Sequence, residues 1–404
     1  MTACRGCGAR LDEVFVDLGL SPLSNAYPSG ADLALPERFY PLTTYVCASC
    51  MLVQLPAHAD PETIFGEYAY FSSYADTWLD HAKRFAYAAT ERFGLGTGSL
   101  VVELASNDGY LLRWFRDAGI PVLGIEPARN VAAVAREAGI ETIAEFFGAA
   151  LAERLTAEGR RADLVVANNV LAHVPDLHDF VRGISLVLAP DGIASLEFPH
   201  LMRLIEDTQY DTIYHEHFSY FSLLALEPVF AAHGLQVQDV EELTTHGGSL
   251  RIVVGRGAAG ASVERVRAAE RAAGLDALQT YRAFEERVRA NKRGLLRFLI
   301  DAAERGETVA AYGAPAKGNT LLNYAGVRSD LVAYTVDRNP YKQGRFLPGS
   351  RIPIHAPQRL LDDPPHSLLV LPWNLIGEVR EQMAPLAAAG TRFVVAIPEV
   401  TVVG

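Results

Sequence analysis

The sequence predicts an α/β protein in which a small cysteine-bearing region precedes two blocks of alternating strands and helices. Three observations support this prediction. All four cysteines fall within the first fifty residues, apolar strand-like runs alternate with helical segments from about residue 84, and the alternation starts again near residue 306. At 404 residues the chain is too long for one ordinary hydrophobic core, so we expect two or three domains.

Apolar runs of four to eight residues, bounded by turn residues, predict the strands of both blocks. These runs lie at residues 99–105, 121–126, 162–170, 192–198 and 249–255, and then at 308–314, 331–337, 367–373 and 392–398. Helical patterns lie between them, for example at 130–139 and 177–188. The expected division is an N-terminal domain at 1–80, a first α/β domain at 81–256, a helical connector at 257–305 and a second α/β domain at 306–404.

Composition and charge exclude several classes of protein. Half of the residues are apolar and 21% are charged, which is typical of a globular chain. The formal net charge of −12 argues against a nucleic-acid partner, because phosphate contacts need a basic surface. No run approaches eighteen apolar residues, and the first fifteen residues do not resemble a secretory signal. We therefore expect a cytoplasmic protein with no membrane partner.

The cysteines form two CxxC pairs, Cys4 with Cys7 and Cys47 with Cys50. Each CxxC turn directs two thiolates towards one point, and two such turns supply the four ligands of a tetrahedral zinc site. The alternative is two independent buried or redox-active pairs, but no thioredoxin-like βαβ pattern surrounds either pair. Four protein ligands leave no open coordination position. The sequence therefore predicts a structural Zn²⁺ site.

The first α/β block carries polar residues where its first two strands end, the usual place for a ligand in doubly wound folds. The segment 101–112, VVELASNDGYLL, has Gly109 but not the GxGxxG pattern of a dinucleotide site. Glu103 suits an ammonium group, and Glu126 at the end of the second strand suits ribose hydroxyls. S-adenosylmethionine combines a cationic group, a ribose and no phosphate, so it fits this pair better than NAD. The alternative is an ordinary turn with two surface acids.

The second α/β block has the sequence YGAPAKGNTLLNY at residues 312–324. This pattern predicts a strand, a turn with Lys317 and a helix with Asn319 near its start. A helix N-terminus beside a lysine favours a pyrophosphate group, although the P-loop pattern is absent. Asp337, Arg338 and Asn374 follow later strands, where they could contact the nucleotide or the sugar.

Residues 214–222 read YHEHFSYFS, with two imidazoles around one carboxylate. Alternation along an extended segment would place His215 and His217 on one face and Glu216 on the other. The segment alone is consistent with a metal site, a proton-transfer site or a polar patch on a strand. For a metal pair at the two histidines, no third ligand is evident in the sequence.

Several motifs together resemble the C-methyltransferases of unusual deoxysugar biosynthesis. These motifs are DLGLSPLSNAY, ELASNDGYLL, GIEPARNVAAVAREAGI, NNVLAHVPDL, DTIYHEHFSYFS, THGGSLR and GAPAKGNTLLNY, and they follow one another along nearly the whole chain. The resemblance implies a zinc-binding N-terminal domain, a central class I methyltransferase domain with a Rossmann-like fold and a C-terminal Rossmann-like domain that binds a nucleotide sugar. It departs at Ala105, where the family often has glycine.

The resemblance also implies a reaction and further site residues. The family methylates a ring carbon beside the ketone of a dTDP-4-keto-6-deoxyhexose, usually C-3, with C-5 as the alternative. The cofactor residues implied besides the two acids are Ala105, Asn107, Gly109, Tyr110, Pro127, Phe146, Phe147, Asn168 and Asn169. Asn323 joins the substrate residues of the second block. A monomer is expected, with a homo-oligomer as the alternative.

Methylation of a carbon beside a ketone needs a base that removes a proton and leaves an enolate. We expect His217 to be this base, because the unperturbed pKa of histidine lies near neutrality. The expected partners are Glu216, Tyr214 and His173, and Tyr68 or Tyr70 could close the site from the N-terminal domain. Alternatively, His173 could cap the helix that follows it, and Tyr70 could belong to the core.

Two other classes of function compete with a methyltransferase. A zinc-bearing binding protein could share the fold but would not need the YHEH cluster. An NAD-dependent sugar oxidoreductase or epimerase would carry a glycine fingerprint, which neither block has. An NAD-independent epimerase or isomerase on the same scaffold is the remaining alternative.

Overall fold

The computed structural model describes residues 3–59 and 76–403. Tyr68 and Tyr70, the tyrosines expected to close the site, lie outside the described residues. The chain divides into two compact units, each built from three separate stretches of sequence. Unit 1 comprises Met1–Asp12, Cys47–Leu201 and Phe218–Asp276, and unit 2 comprises Glu13–Val46, Met202–His217 and Ala277–Gly404. The division into three domains and a helical connector that the sequence predicts stays a prediction.

The described helices and strands are numbered here in chain order. The strands are β1 Glu13–Ser21, β2 Tyr40–Val46, β3 Val53–Gln54, β4 Val101–Leu104, β5 Val122–Ile125, β6 Thr142–Ile143, β7 Ala162–Asn168, β8 Leu188–Pro199, β9 Ser219–Tyr220, β10 Gln236–Leu243, β11 Ser249–Gly255, β12 Val309–Tyr312, β13 Thr335–Val336, β14 Ile354–His355, β15 Ser367–Val370, β16 Arg392–Val395 and β17 Thr401–Val403. The helices are α1 Asp76–Phe93, α2 Leu112–Asp117, α3 Arg129–Glu137, α4 Ala149–Ala157, α5 Leu177–Val187, α6 Leu201–Glu206, α7 Leu223–Ala231, α8 Ala261–Ala272, α9 Leu278–Arg282, α10 Phe284–Glu304, α11 Ala316–Ala325, α12 Gln358–Asp362, α13 Ile376–Gln382 and α14 Ala384–Ala388.

Unit 1 is organised around a seven-stranded sheet with the order β10-β11-β8-β7-β4-β5-β6. Strands β8, β7, β4, β5 and β6 are parallel, whereas β11 runs antiparallel to both of its neighbours. The chain moves from β4 outwards to β5 and β6 and then returns to β7 on the other side of β4. The carboxyl ends of β4 and β7 therefore border the topological switch point, where open α/β sheets bind their ligands.

Helices cover the parallel strands of unit 1 and explain their continuous apolar sequences. Every residue of β4 is buried, including Glu103. One core cluster joins α1, α2 and the strands through Phe85, Phe115, Val101 and Leu164. In the same unit, the short strands β3 and β9 pair antiparallel, with Val53 opposite Tyr220.

Unit 2 contains a six-stranded sheet with the order β14-β13-β12-β15-β16-β17. Its strands are parallel except for β17, which pairs antiparallel with β16. The switch point lies between β12 and β15, since the chain leaves β12 for β13 and β14 before it returns to β15 on the other side of β12. Strands β1 and β2 form a separate antiparallel pair in this unit, and Phe15 of β1 stacks on Phe284 of α10 with ring centroids 4.5 Å apart.

The strands and helices predicted from the sequence are confirmed, although most strands are shorter than predicted. Residues 249–255 form β11 over the full predicted range, whereas the run 331–337 keeps only Thr335–Val336 as a strand. Residues 257–305 contain the helices α8, α9 and α10, as expected. Among the described residues, every helix is too short or too polar to span a bilayer.

Candidate active site

The four cysteines of unit 1 lie together, and their sulfur atoms are all within 4.8 Å of one another. The two CxxC turns repeat the same backbone hydrogen bonds. Gly8 N donates to Cys4 O at 2.9 Å, and Met51 N donates to Cys47 O at 2.8 Å. The residue after each pair has a positive φ, 75° at Gly8 and 60° at Met51. This shared local geometry turns both pairs of sulfurs to one point.

The sulfur atom of Cys4 also receives hydrogen bonds that favour its thiolate form. Gly6 N and Gln54 Nε2 donate to Cys4 Sγ at 3.3 and 3.2 Å. Hydrogen bonding with Cys50 and then with Gln54 lowers the pKa of Cys4 to about 4, against the opposing effect of burial. All four thiols are free of disulfide bonds. A tetrahedral zinc ion needs four such sulfur ligands.

The turn after β4 has a demanding backbone conformation. Ala105, Asn107 and Gly109 all have positive φ, at 52°, 50° and 77°. For alanine the left-handed conformation costs about 1–2 kcal/mol, which explains why glycine suits position 105. At Gly109 a Cβ atom would lie 2.9 Å from Ile140 Cγ1, so a larger residue would also clash. The turn thus brings the backbone of 105–109 to the switch point.

Glu126, just after β5, stabilises this turn. Its carboxylate accepts hydrogen bonds from Asn107 N at 2.9 Å and from Ala128 N at 2.8 Å. Burial raises the pKa of Glu126, and these amide donors oppose the rise. Pro127 continues the same loop, where it is half-buried. The carboxylate has further lone pairs for ribose hydroxyls.

Glu103 is only 1% exposed, and burial followed by the charges of Asp108 and Glu126 raises its pKa well above the ordinary value. Within the described residues Glu103 Oε2 has no hydrogen-bond partner, and neither has Asn168 Oδ1 at the end of β7. Both side-chain polar atoms of Asn169 also lack one there, and this residue has a φ of 57°. Buried polar atoms without partners are costly, so the switch point fits a cationic, hydrogen-bonding ligand.

The other expected cofactor residues have mixed environments. Tyr110 is 5% exposed and belongs to the hydrophobic core cluster of unit 1. Phe147 packs edge-to-face on Phe180 at 5.4 Å, whereas Phe146 is 47% exposed beside it. An exposed aromatic ring near the carboxyl edge of a sheet is available to stack on a ligand base.

A buried acid on β8, which the sequence analysis did not single out, lies at the same edge of the sheet. Glu197 accepts hydrogen bonds from His81 Nε2 at 3.1 Å, Arg251 Nη2 at 2.9 Å and Thr245 Oγ1 at 3.0 Å. Burial raises the pKa of Glu197, but His81 and Arg251 outweigh it and leave the pKa below its ordinary value. The backbone oxygen of Glu197 accepts from Asn169 N at 2.6 Å. This network therefore holds Asn169 and the turn with Thr245.

His173 does not cap the helix that follows it, so that alternative is wrong. It ends a short 3-10 helix, Leu171–His173. The N-terminal cap of α5 is Asp176, whose Oδ1 accepts from Asp179 N at 3.0 Å. The His173 ring is half-buried.

In unit 2, the segment Tyr214–His217 is a turn, so the prediction of an extended segment with alternating faces is wrong. His217 N donates to Tyr214 O at 2.9 Å, which closes the turn. The strand β9 begins only at Ser219. The turn stacks the rings of Tyr214 and His217, whose centroids are 4.0 Å apart.

Each of the two histidines donates to a backbone carbonyl, through a different ring nitrogen. Thr212 O can only accept, so His217 Nδ1 carries the hydrogen in the 2.9 Å contact between them. His215 is 3% exposed, and its Nε2 donates to Pro41 O at 3.1 Å. Among the described residues, the metal-type clusters of three or more ligands are limited to the four cysteines. These facts favour a base at His217 and a structural contact at His215.

Lys317 stands at the start of α11 beside the switch point of unit 2. Its Nζ donates to Asn374 Oδ1 at 2.7 Å and lies 4.7 Å from the ring centre of Trp373. The Trp373 Nε1 donates to Asp211 Oδ2 at 2.7 Å. Burial raises the pKa of Asp211 to about 6, although Lys317 and then Trp373 lower it. Lys317 and Asn374 are among the site residues predicted from the sequence, whereas Asp211 and Trp373 are not.

Three of the remaining expected substrate residues hold backbone groups of unit 2. Asn319 Nδ2 donates to Ser24 O at 2.6 Å, and Asn323 Nδ2 donates to Pro348 O at 2.9 Å. Asp337 accepts from Ala314 N at 2.7 Å, which shapes the turn before α11. Arg338 has a largely exposed side chain, 3.7 Å from Glu378. These contacts neither require nor exclude a ligand.

Comparisons with known proteins agree with this geometry. Residues 4–65 match the family described as "Putative zinc binding domain", residues 78–240 match "Methyltransferase domain" and residues 244–398 match "C-methyltransferase C-terminal domain". The chain is 40% identical to C-methyltransferase NovU of Streptomyces niveus, over 99% of this chain and 96% of that protein. It is 31% identical to the ubiquinone biosynthesis O-methyltransferase of Methylobacterium sp. (strain 4-46), over 34% of this chain and 65% of that protein.

Among solved structures, the magnesium protoporphyrin IX methyltransferase of Synechocystis PCC 6803 with bound SAM aligns with 50% of this chain and all of its own, at 14% identity and a TM-score of 0.36. That score is too low to support a conclusion. The fold and the matched domains define an S-adenosylmethionine-dependent methyltransferase with a zinc site formed by its four cysteines. The 40% identity to NovU, which extends over nearly the full length of both chains, identifies the family more specifically. The chain belongs to the C-methyltransferase family.

Proposed function

We propose that this C-methyltransferase transfers a methyl group to C-3 of a dTDP-4-keto-6-deoxyhexose, by enolisation with His217 as the base. The observation that carries the proposal is the 2.9 Å hydrogen bond from His217 Nδ1 to Thr212 O. This bond fixes the ring through Nδ1, so in the neutral imidazole Nε2 would be the nitrogen that takes the proton. Methylation of a saturated carbon beside a ketone needs such a base, because that carbon becomes a nucleophile when loss of a proton leaves an enolate.

The proposed reaction begins with a proton transfer. The bond between the ring carbon and hydrogen breaks, its electron pair enters the enolate of the 4-keto group, and the proton moves to His217 Nε2. S-adenosylmethionine supplies an electrophilic methyl group, so a carbon–carbon bond forms while the carbon–sulfur bond breaks and S-adenosylhomocysteine leaves. Tyr214, stacked on His217, and Glu216, buried beside it in sequence, orient the imidazole or bind the sugar.

We assign the methyl donor to the switch point of unit 1. Glu103 would pair with the ammonium group, Glu126 would accept from the ribose hydroxyls, and the turn 105–109 with Tyr110 and Pro127 would line the site. Asn168 and Asn169 complete it with amide groups, and Phe146 and Phe147 provide apolar surface for the adenine. The unpartnered atoms of Glu103, Asn168 and Asn169 in the described part of unit 1 support this assignment. We keep His173 as a partner of the substrate.

We assign the nucleotide to the switch point of unit 2. Lys317 and the N-terminus of α11 would bind the pyrophosphate, because a lysine and free backbone amides both favour an anion. Asn374 orients Lys317, and Asn319, Asn323, Asp337 and Arg338 shape the surroundings. The cytoplasm is the expected location, since nucleotide sugars are made there, and a monomer is the expected assembly.

The test is product analysis. The purified protein is incubated with S-adenosylmethionine and a panel of dTDP-4-keto sugars, and each product is examined by mass spectrometry and NMR. We expect a mass gain of one methylene group and a new methyl signal on C-3. A methyl group on C-5 would move the reaction to the other carbon that flanks the ketone, and isomerised but unmethylated sugar would contradict the proposal.

A further inference from the structure

A short N-terminal segment of unit 2, residues 24–27 with the sequence SNAY, contacts the proposed catalytic turn. Asn25 Nδ2 donates to Glu216 Oε1 at 2.6 Å, across 191 positions of sequence. A carboxylate can only accept hydrogen bonds, so the contact also determines which end of the amide faces Glu216. Glu216 is 4% exposed, so this donor stabilises charge in a place where water contributes little.

Both ends of the 24–27 segment are held at the start of α11, one by a residue of the helix and the other by the turn just before it. Ser24 O accepts from Asn319 Nδ2 at 2.6 Å, and the Tyr27 hydroxyl donates to Ala314 O at 2.5 Å. The same hydroxyl lies 3.2 Å from Asn25 Oδ1, so Tyr27 contacts both the turn and the Asn25 amide. Ser24 is 2% exposed. The segment is thus a fixed support and not a loose terminal strand.

The helix α11 also holds the polypeptide just before the catalytic turn. Thr320 Oγ1 donates to Ile213 O at 2.9 Å. Two sets of hydrogen bonds therefore connect α11 to the catalytic turn. One holds Ile213, which precedes the turn, and the other holds the 24–27 segment, which contacts Glu216. Of the two, only the second places a hydrogen-bond donor on the carboxylate itself.

We propose that Asn25 is a positioning residue, which keeps Glu216 ionised and correctly oriented for the proton transfer that His217 performs. The inference rests on the proposed function and adds to it a residue and a mechanism of support. A neutral amide donor suits this task, because it stabilises the carboxylate without neutralising it as an arginine would. The titratable groups of this network are Tyr27, Asp337 and Lys342, with Tyr214, His215 and His217 on the turn itself.

The first variant is Asn25→Ala, with Ser29→Ala as the matched control. Ser29 lies two residues beyond the segment, and its hydroxyl donates to Asp32 Oδ2 at an exposed position. We expect Asn25→Ala to lower kcat about 10- to 100-fold, the usual loss when a reacting group is misplaced. The KM for the nucleotide sugar and the affinity for S-adenosylmethionine should change less than about twofold, and Ser29→Ala should behave like the wild type.

The pH profile separates a positioning role from a structural one. Loss of the donor disfavours ionised Glu216, so the acid limb of kcat/KM should move to higher pH in Asn25→Ala. Asn25→Asp keeps the shape of the side chain, so it serves as a second variant should Asn25→Ala fail to fold. It also places a second carboxyl group beside Glu216. It should move the acid limb further in the same direction. An acid limb at the wild-type pH in both variants would overturn the inference.

A double-mutant cycle tests whether Asn25 acts through Glu216. In a Glu216→Gln background, Asn25→Ala should cost less than about twofold, because the charged acceptor has already gone. An equal loss in both backgrounds would overturn the inference. Failure of the proposed function has a different signature, since the wild type itself would then leave every dTDP-4-keto sugar unmethylated.

Discussion

Buried charge is handled differently at each of three carboxylates. Glu126 relies on backbone amides, Glu197 relies on His81 and Arg251, and Asp211 relies on the indole of Trp373 and the charge of Lys317. Removing a partner of any of these buried carboxylates should cost free energy, because an unmatched buried acceptor has lost its hydration without a replacement hydrogen bond. Substitutions at these positions should therefore have effects that identify the local role.

The Glu126→Ala variant should bind S-adenosylmethionine about 1–3 kcal/mol more weakly, the usual cost of leaving buried hydrogen-bond partners unmatched. Glu126→Gln should lose less, since its amide oxygen still accepts from one backbone N–H. Calorimetric titration measures both, with the exposed Glu153→Ala as a control. Unchanged affinity in Glu126→Ala would mean that the cofactor site lies elsewhere.

The His217→Asn variant should turn over roughly 10²–10⁴-fold more slowly, because asparagine cannot accept a proton at neutral pH. Binding of both ligands should persist, because the substitution removes little contact area. The matched control is His355→Asn in β14 of the same unit, which should have wild-type turnover. If His217→Asn were active while Glu216→Gln was inactive, the base would be Glu216.

The Asp211→Asn variant should change how stability depends on pH. The folded-state pKa of about 6 lies above the usual value of 3.8, so the wild type loses stability as pH rises through 6. The loss is about 2 kcal/mol between pH 4.5 and 7.5, since one pKa unit corresponds to about 1.4 kcal/mol. Thermal unfolding should therefore favour the variant increasingly as the pH rises. A difference that stays constant across this range would show that Asp211 is not protonated in the folded state.

At the scale of elements, the site depends on turns more than on helices or strands. The two CxxC turns, the turn 105–109 and the turn Tyr214–His217 each place polar groups by short backbone hydrogen bonds. The turns with positive φ need strain or glycine, which the surrounding core supports. A turn without its anchoring contacts should therefore lose its function before the sheets lose their fold.

Metal analysis of the purified protein should give one zinc per chain, and Cys47→Ser should lower the zinc content and expose or aggregate the N-terminal region. The reason is that three thiolates bind zinc more weakly and the serine leaves one position of the tetrahedron without a sulfur. Ser49→Ala, an exposed change in the same turn, should keep its zinc. A metal-free wild type with full activity would contradict this prediction.

At the scale of the whole molecule, each unit is assembled from three stretches of sequence, and the boundary at His217 and Phe218 divides the motif YHEHFSYFS. The cysteines and the proposed methyl-donor site belong to unit 1. The proposed base, the segment 24–27 and the proposed nucleotide site belong to unit 2. The two ligands should therefore respond to different substitutions.

The Lys317→Ala variant should raise the KM for the nucleotide sugar about 10- to 100-fold, the loss expected when a charged hydrogen bond to phosphate is removed. The affinity for S-adenosylmethionine should be unchanged. Steady-state kinetics and calorimetry measure the two effects separately, with the exposed Arg328→Ala after α11 as a control. Weaker cofactor binding with an unchanged KM for the nucleotide sugar would show that unit 2 binds S-adenosylmethionine and unit 1 binds the nucleotide sugar.

Features that depend on neighbouring residues or on a repeating pattern of apolar residues could be predicted from the amino-acid sequence alone. Two CxxC turns are enough to specify a sulfur cluster, because each turn is closed within four residues. Strand patterns and the acids Glu103 and Glu126 predicted a ligand edge, because parallel strands bring their carboxyl ends to the same edge of a sheet. Motif order along the chain was enough to indicate the family.

Contacts between side chains that are far apart in the sequence became known only from the tertiary structure. Side chains do not alternate between two faces at Tyr214–His217, because alternation needs an extended segment paired in a sheet, and pairing begins at Ser219. Asn25 reaches Glu216 across 191 positions, and Trp373 reaches Asp211 across 162. Such hydrogen bonds leave no local pattern in a sequence, since they depend on how the chain packs and not on the spacing of neighbouring residues.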